Sequence, residues 1–312
     1  MPSEAQRCGS PYGLKHVNGC GSSSWADRLA PLALASPVMI NIGANTGYAM
    51  VEFLGRFSAN RTVTPAAWHA EIRRYAELTK SGNLKWTSCG ACKQCRSPGG
   101  RSRRSHDVGG AATAHALELD LKTRLVLRHV ANATGAPMTV HELAAADKPG
   151  RACAAPSTLA GFEQHAITSM RAAEGQCGRG QSVEAVTIDE LMGSLGLSAV
   201  EHLSMDTEGW DAKILYAGRR SVARRAFRII EFEYHARWKE HRTSLHAVQE
   251  WLFAAGYHCF FISKKPNLLL PLSGACWRAA YEFYKWSNVV CAHEREYLNV
   301  LYAMDGRKED PA

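Results

Sequence analysis

The chain has no apolar run approaching the roughly 20 residues that a bilayer-spanning helix requires. Its longest apolar stretch, residues 31–42, is shorter and leads straight into a glycine turn, so it predicts a buried strand. The N-terminus lacks the apolar core of a signal peptide, with Glu4, Arg7, Cys8 and Gly9 in its place. Any secretory targeting segment is therefore expected outside the given 312 residues. Internal repeats are missing, which excludes a solenoid or propeller. Compositional extremes are missing too: 21% charged and 46% hydrophobic residues exclude collagen, coiled-coil and disordered classes. Finally there is no G-x-G-x-x-G, the turn with which a dinucleotide fold sets a pyrophosphate on a helix N-terminus. That absence speaks against a nicotinamide-dependent oxidoreductase.

What is present starts with size: 312 residues can bury one large core or carry a domain with a long insertion. The formal net charge is +8, concentrated in residues 96–104 and 219–228. Excess positive charge attracts anionic partners, but no aromatic residue interleaves the 96–104 run, so the reading is a solvated basic face rather than a nucleic-acid groove. Ten cysteines and the sequons at Asn60 and Asn132 permit a secretory lumen without excluding the cytoplasm.

Residues 1–24 are rich in Gly, Ser and Pro and read as an irregular leader; 306–312 read as a tail. Between them, 25–305 form the main domain. Val38-Met-Ile-Asn-Ile42 is an almost wholly apolar run, as a parallel strand buried on both faces should be. Gly43-Ala-Asn-Thr-Gly47 and a helical period over 48–57 complete a strand–turn–helix unit. The pattern breaks over 58–110, an insertion with one helix near 68–78, and resumes with a strand at 113–119 and a helix from 121. A third strand is expected over 138–143, and over 145–180 only a loop with a short hairpin. A helix at 189–195 and strands at 200–205, 227–232, 257–262 and 288–291 follow, with helices near 210–216 and 245–255. The alternation predicts an α/β fold on a mostly parallel, doubly wound sheet.

In such sheets ligands sit beyond the carboxyl ends of the strands, where strand order reverses. The turn from Gly43 to Gly47 lies there, and its glycines would let backbone approach a ligand. Glu118, or Asp120, ends the next strand, where a carboxylate can accept hydrogen bonds from ribose hydroxyls. Asp206-Thr-Glu208-Gly209 follows the strand at 200–205, putting two carboxylates one residue apart at an exposed strand end. A hydroxyl attacking a methyl group must lose its proton, which a positioned carboxylate can take. The bland alternative makes these acids a helix cap and a first-turn acid. Glu231, Glu233 and His235 alternate onto one strand face, forming an acid–base cluster or a cation site.

These motifs resemble the FkbM-type family of S-adenosylmethionine (SAM)-dependent methyltransferases. The resemblance rests on Asn41-Ile-Gly43-Ala-Asn45-Thr-Gly47, Ala116-Leu-Glu118, Thr187-Ile-Asp189-Glu190-Leu191, Asp206-Thr-Glu208-Gly209 and Glu233-Tyr-His235. It implies a Rossmann-like class I methyltransferase fold and O-methylation of a sugar or natural-product hydroxyl. It also implies SAM binding through Asn41, Gly43, Asn45, Gly47 and Glu118, with Asp147 near the adenine, and catalysis by Asp206, Glu208, Glu233 and His235. One departure stands out: the family's opening acid is Asn41 here, which accepts a hydrogen bond but adds no charge.

Cys89-Gly-Ala-Cys92-Lys-Gln-Cys95, inside the insertion, has the spacing of thiolates converging on a structural zinc ion. His106, Cys8 and Cys20 are the candidates for a fourth ligand, and disulfides are the alternative in an oxidising compartment. The aromatics of 277–288 read as a packed edge or a platform for a sugar ring. The runner-up to an enzyme is a non-catalytic module of the same fold, binding an anionic glycan or nucleic acid through the arginine runs. No oligomeric state is legible.

Overall fold

The computed structural model describes residues 8, 14–17, 19, 21–58, 62–79, 111–154, 160, 167–171, 177 and 181–306. Its strands begin with β1 (Val38–Ile42), β2 (Thr113–Leu117), β3 (Met138–His141), β4 (Leu143–Ala145), β5 (Gly150–Ala154) and β6 (Ile167–Arg171). They continue with β7 (Gln181–Val186), β8 (Val200–Met205), β9 (Phe227–Tyr234), β10 (His258–Ile262), β11 (Leu269–Pro271) and β12 (Ser287–Ala292). The helices are α1 (Ser24–Leu29), α2 (Tyr48–Phe57), α3 (Pro65–Leu78), α4 (Leu121–Thr134) and α5 (Ile188–Ser194), then α6 (Asp211–Ala217), α7 (Arg219–Ala223), α8 (Leu245–Ala254) and α9 (Arg295–Ala303). Among the described residues no helix is long and apolar enough to cross a membrane.

The main sheet runs β11-β10-β12-β9-β8-β1-β2-β3. From β3 to β9 every pairing is parallel; β12, β10 and β11 add an antiparallel flank. Strand order reverses at β1, which has β2 on one side and β8 on the other. Period-two alternation sends Met39 to the α2–α4 layer with Phe53, Trp68 and Leu127, and Ile40 and Ile42 to the opposite layer with Ile188, Leu215 and Val248. Helices thus cover both faces, giving the Rossmann-like architecture.

Local signals explain the helix ends. Asp120 caps α4 by accepting from the Thr123 N–H at 2.8 Å, and Gly135 closes that helix in the left-handed region. Thr187 and Glu190 form a reciprocal capping box on α5. In the same run Asp189 accepts from the Ser221 N–H and hydroxyl at 2.8 and 2.7 Å, pinning α7. The Thr187–Leu191 motif is therefore architectural.

Two expectations need correction. The single strand expected over 138–143 is broken at exposed Glu142: β3 pairs with β2, whereas β4 pairs with β7. Over 145–180, where a loop with a short hairpin is expected, β5 and β6 do pair antiparallel, but they belong with β4 and β7 to a four-stranded sheet, β4-β7-β5-β6. Its core is Ala144, Ala146, Ala152, Val183 and Ala185, and alanine carries little strand signal. This sheet is anchored at both ends of the strand-end rim. Gln181 donates to Asp120 at 3.1 Å and accepts from the Leu121 N–H at 3.0 Å, while the Trp210 indole donates to the Ile167 carbonyl at 3.0 Å.

Part of the leader is packed: Val17 is buried in the core, and the Gly19 N–H donates to the Trp286 carbonyl at 2.8 Å. Disulfides join Cys8 to Cys276, Cys153 to Cys177, and Cys259 to Cys291, the last between directly opposed residues of β10 and β12. Cys8 is thereby ruled out as a fourth zinc ligand. Cys89, Cys92 and Cys95, with Cys20 and His106, lie outside the described residues.

Candidate active site

The carboxyl ends of β1, β2, β8 and β9 meet along one edge of the sheet. After β1, the N–H groups of Gly43 and Ala44 both donate to the Leu117 carbonyl of β2, at 2.9 and 3.2 Å. The Asp206 N–H donates to the Ile42 carbonyl at 2.9 Å. A Cβ on Gly43 would stand 1.8 Å from the Asp206 carbonyl oxygen, so this glycine is required by the approach of two main chains. Gly47, at φ 88°, is required by Trp68 and Leu127, which a Cβ would meet at 2.7 and 2.9 Å. Both glycines serve protein packing first, a different reason from the ligand approach the sequence suggests. Trp68 comes from the insertion and donates its indole N–H to the Thr46 carbonyl at 2.7 Å.

Glu118 is buried and braces this turn. Its carboxylate accepts from the Asn45 N–H at 2.7 Å and the Asp120 N–H at 2.9 Å. Asp120, the other ribose candidate, is occupied as the α4 cap. Asn45 sits in the left-handed region at φ 46°, and its Oδ1 and the Thr46 hydroxyl are buried without hydrogen-bond partners. Asn41 is 3% exposed and donates its amide to the Ser204 carbonyl of β8 at 3.4 Å. A carboxylate could not make that bond, which accounts for the departure from the family's acid. Asp147 is exposed on the turn between β4 and β5.

Across the edge stands an acidic group. Asp206 is exposed at the end of β8; Glu208 adopts φ 55° and meets the Arg237 guanidinium at 3.3 Å. A Cβ on Gly209 would lie 2.8 Å from the Arg237 Cβ, so the loops after β8 and β9 interlock. Neither Asp206 nor Glu208 caps a helix: α6 begins only at Asp211, which removes the bland reading. Glu233 and His235, on alternate positions of the β9 segment, approach to 3.3 Å. Glu231, one step back on that face, pairs instead with His202 at 3.1 Å and stays outside the group.

Burial sets the electrostatics. Glu233 is pushed well above the usual carboxylate range, first by desolvation and then by the charges of Asp206, Asp211 and Glu208. Desolvation lowers His235 to about 4, aided by Arg237. Asp211 is a residue that the sequence reading missed, since it passes for an ordinary first-turn acid. It is completely buried, and desolvation followed by the Asp206 charge raises it to about 7. The group therefore combines an exposed carboxylate, buried protonatable carboxyls and a neutral imidazole.

Among the aromatics of 277–288, Phe283 and Tyr284 pack against Tyr234 and stay half-buried. Tyr281 lies edge-on against Phe261, and the Tyr234 hydroxyl donates to Glu282 at 3.0 Å.

The model of the FkbM methyltransferase domain matches residues 103–259. The chain belongs to the FkbM methyltransferase family. No curated protein sequence matches it. Among solved structures it is similar to a Klebsiella pneumoniae protein assigned as an O-methyltransferase (TM-score 0.36, 10% identity, covering 94% of this chain and 91% of that one). It is also similar to a Pyrococcus horikoshii protein assigned as an RNA methyltransferase (TM-score 0.29, 11% identity, covering 91% and 89%). Membership in the FkbM family agrees with the geometry: its model spans Glu118 and the Asp206 and Glu233 motifs, and the Gly43–Gly47 turn completes the same edge.

Proposed function

We propose that this protein is a SAM-dependent O-methyltransferase acting on a hydroxyl of a sugar, a glycan or a small natural product. The observation that carries the reading is the convergence, at the switch point of the sheet, of the Gly43–Gly47 turn, the Glu118 carboxylate and Asp206. The turn suits an adenosyl ligand because it leaves two buried polar atoms, Asn45 Oδ1 and Thr46 Oγ1, without protein partners. The Glu118 carboxylate, braced by the Asn45 and Asp120 N–H groups at the end of β2, stands where an acceptor for ribose hydroxyls is needed. Bound SAM supplies an electrophilic methyl group on a cationic sulfur, a charge that suits an edge rich in carboxylates.

Asp206 is placed to take the acceptor's proton as the hydroxyl oxygen attacks the methyl carbon. The O–C bond forms while the S–C bond breaks, and the electron pair returns to sulfur. His235, kept neutral by burial, and Glu233 complete the polar group beside Asp206 on the acceptor side of the site.

The test begins with calorimetry of S-adenosylhomocysteine binding. Glu118→Gln is expected to weaken binding at least tenfold, since each hydrogen bond to a charged group contributes about 1.5–3 kcal/mol. Methyl transfer to a glycan panel then follows, with Asp206→Asn expected to keep cofactor binding and lose turnover. Absence of binding by the unaltered protein defeats the reading. Binding without transfer to any hydroxyl acceptor favours the non-catalytic module.

A further inference from the structure

We propose that Glu208, Glu233 and His235 form a binding site for a divalent transition-metal ion, with Mn²⁺ as the best fit. One ligand atom from each lies within 4.8 Å of the others. Two ligands on opposite sides of one ion, each about 2.2 Å away, are about 4.4 Å apart, so small side-chain rotations close the set. The three come from the loop after β8 and from the end of β9 and the residue after it, with the two segments locked together by Gly209 against Arg237, a rigid support that a metal site requires.

Two further observations point to a missing positive partner. Nε2 of His235 is buried without a hydrogen-bond partner 3.3 Å from Glu233, as Nε2 of His202 is 3.1 Å from Glu231, but among the described residues only His235 has a second carboxylate, Glu208, within 4.8 Å. Asp211 is 0% exposed, its Oδ2 is likewise unpartnered, and its charge couples to both Asp206 and Glu233. Buried charges are normally paired or bound to a metal. Here Asp206, Asp211 and Glu208 all bear on Glu233, and the Arg237 guanidinium meets Glu208 at 3.3 Å. A dication answers both the orphaned nitrogen and the crowding of carboxyl groups, with Asp206 and Asp211 as supporting carboxylates.

The donor set selects the ion. Carboxylates alone would suit Mg²⁺ or Ca²⁺, whereas an added imidazole shifts preference towards Mn²⁺, Fe²⁺ or Zn²⁺. Three protein ligands leave positions open on an octahedral ion, and an acceptor with adjacent hydroxyls would fill them. Only this last step rests on the methyl-transfer reading; the binding site does not.

The experiment is a titration of the metal-stripped full-length protein with Mn²⁺, followed by electron paramagnetic resonance of the free ion, without cofactor or acceptor. One bound ion per chain is expected, with Mg²⁺ at least tenfold weaker. Glu233→Gln and His235→Asn should each weaken Mn²⁺ at least tenfold, and Glu231→Gln, on the same strand face but paired with His202, should leave it unchanged. Circular dichroism and a thermal melt verify folding, and His235→Asn stands in if Glu233→Gln fails to fold. No bound Mn²⁺, or binding that survives both ligand substitutions, overturns the site. S-adenosylhomocysteine calorimetry on the stripped protein runs alongside. Metal bound without the nucleoside sinks the methyltransferase reading alone; the converse sinks this site alone.

Discussion

Strands β8 and β9 carry charge at both extremities, and the two ends are built in opposite ways. At the amino end Glu201, 1% exposed, accepts from the Leu34 N–H at 3.0 Å and the Tyr297 hydroxyl at 2.5 Å. Arg228 reaches it at 3.4 Å, donates through Nε to Glu294 at 2.8 Å, and lies over the Tyr297 ring. Each carboxylate there has its cation or donor. At the carboxyl end Asp206, Glu208 and Asp211 crowd Glu233 beside a neutral histidine, and Asp211 Oδ2 is completely buried without a hydrogen-bond partner. The same two strands thus offer an internal control. A network that only holds the fold together is closed, its carboxylates paired, whereas one that awaits a ligand leaves buried carboxyl groups crowded together.

Substitutions at the two ends should therefore trade places in their effects. At the open end, Asp206→Asn removes the exposed base, and methyl transfer should fall by about 10²–10⁴-fold, the usual contribution of general base catalysis. Stability should hold or rise slightly, since a like charge has been removed, and a denaturation curve beside the rate measurement verifies this. An Asp206→Asn protein that unfolds easily yet turns over normally when folded would erase the contrast.

At the closed end, Arg228→Met should do the reverse. Removing one partner of a buried ion network leaves its carboxylates uncompensated, which typically costs about 3–5 kcal/mol. Urea denaturation should show that loss, and turnover per folded molecule should stay near that of the unaltered protein.

How much of this was legible in the sequence depends on whether a signal was local. Val38–Ile42 and Val200–Met205 announce themselves because central parallel strands are apolar on both faces. Asp206, Glu208, Glu233 and His235 are found because each follows such a strand. Asp211 is not, because only the fold carries it beneath Asp206; in sequence it is a first-turn acid like any other. The small sheet escapes because alanines fill its core, and Arg228 reads as part of a solvated basic run although it is the cation of the closed network. The reason for Gly43 was misread for a similar cause: nothing local reveals that the Asp206 carbonyl lies 1.8 Å from where its Cβ would be.

The disulfides sharpen the contrast further. Cys259 and Cys291 cross-link the antiparallel flank, in the layer opposite to that of Tyr297. Non-reducing peptide mapping should recover the Cys259–Cys291 and Cys153–Cys177 links, as expected of a protein folded in an oxidising compartment. The double variant Cys259→Ala/Cys291→Ala should lose about 2–4 kcal/mol. The open end should keep its ligand affinities through that loss, because no disulfide among the described residues touches it.

The smallest effect belongs to a third arrangement, in which ionisable groups are kept free of charge. His115 of β2 and His141 of β3 stack, with Nδ1 and Nε2 3.0 Å apart. Desolvation lowers both below the ordinary histidine value, and His141 lowers His115 further. The folded chain therefore binds these protons less readily than the unfolded chain, so stability is complete above about pH 6.5 and declines as pH falls through that value. Melting temperature measured from pH 8 down to pH 5 should show the decline, and His115→Gln should flatten it by removing one titrating ring and the pair's mutual repulsion. A slope untouched by that substitution would place the acid sensitivity elsewhere, with His235, lowered to about 4, the next buried imidazole to replace and His293 after it.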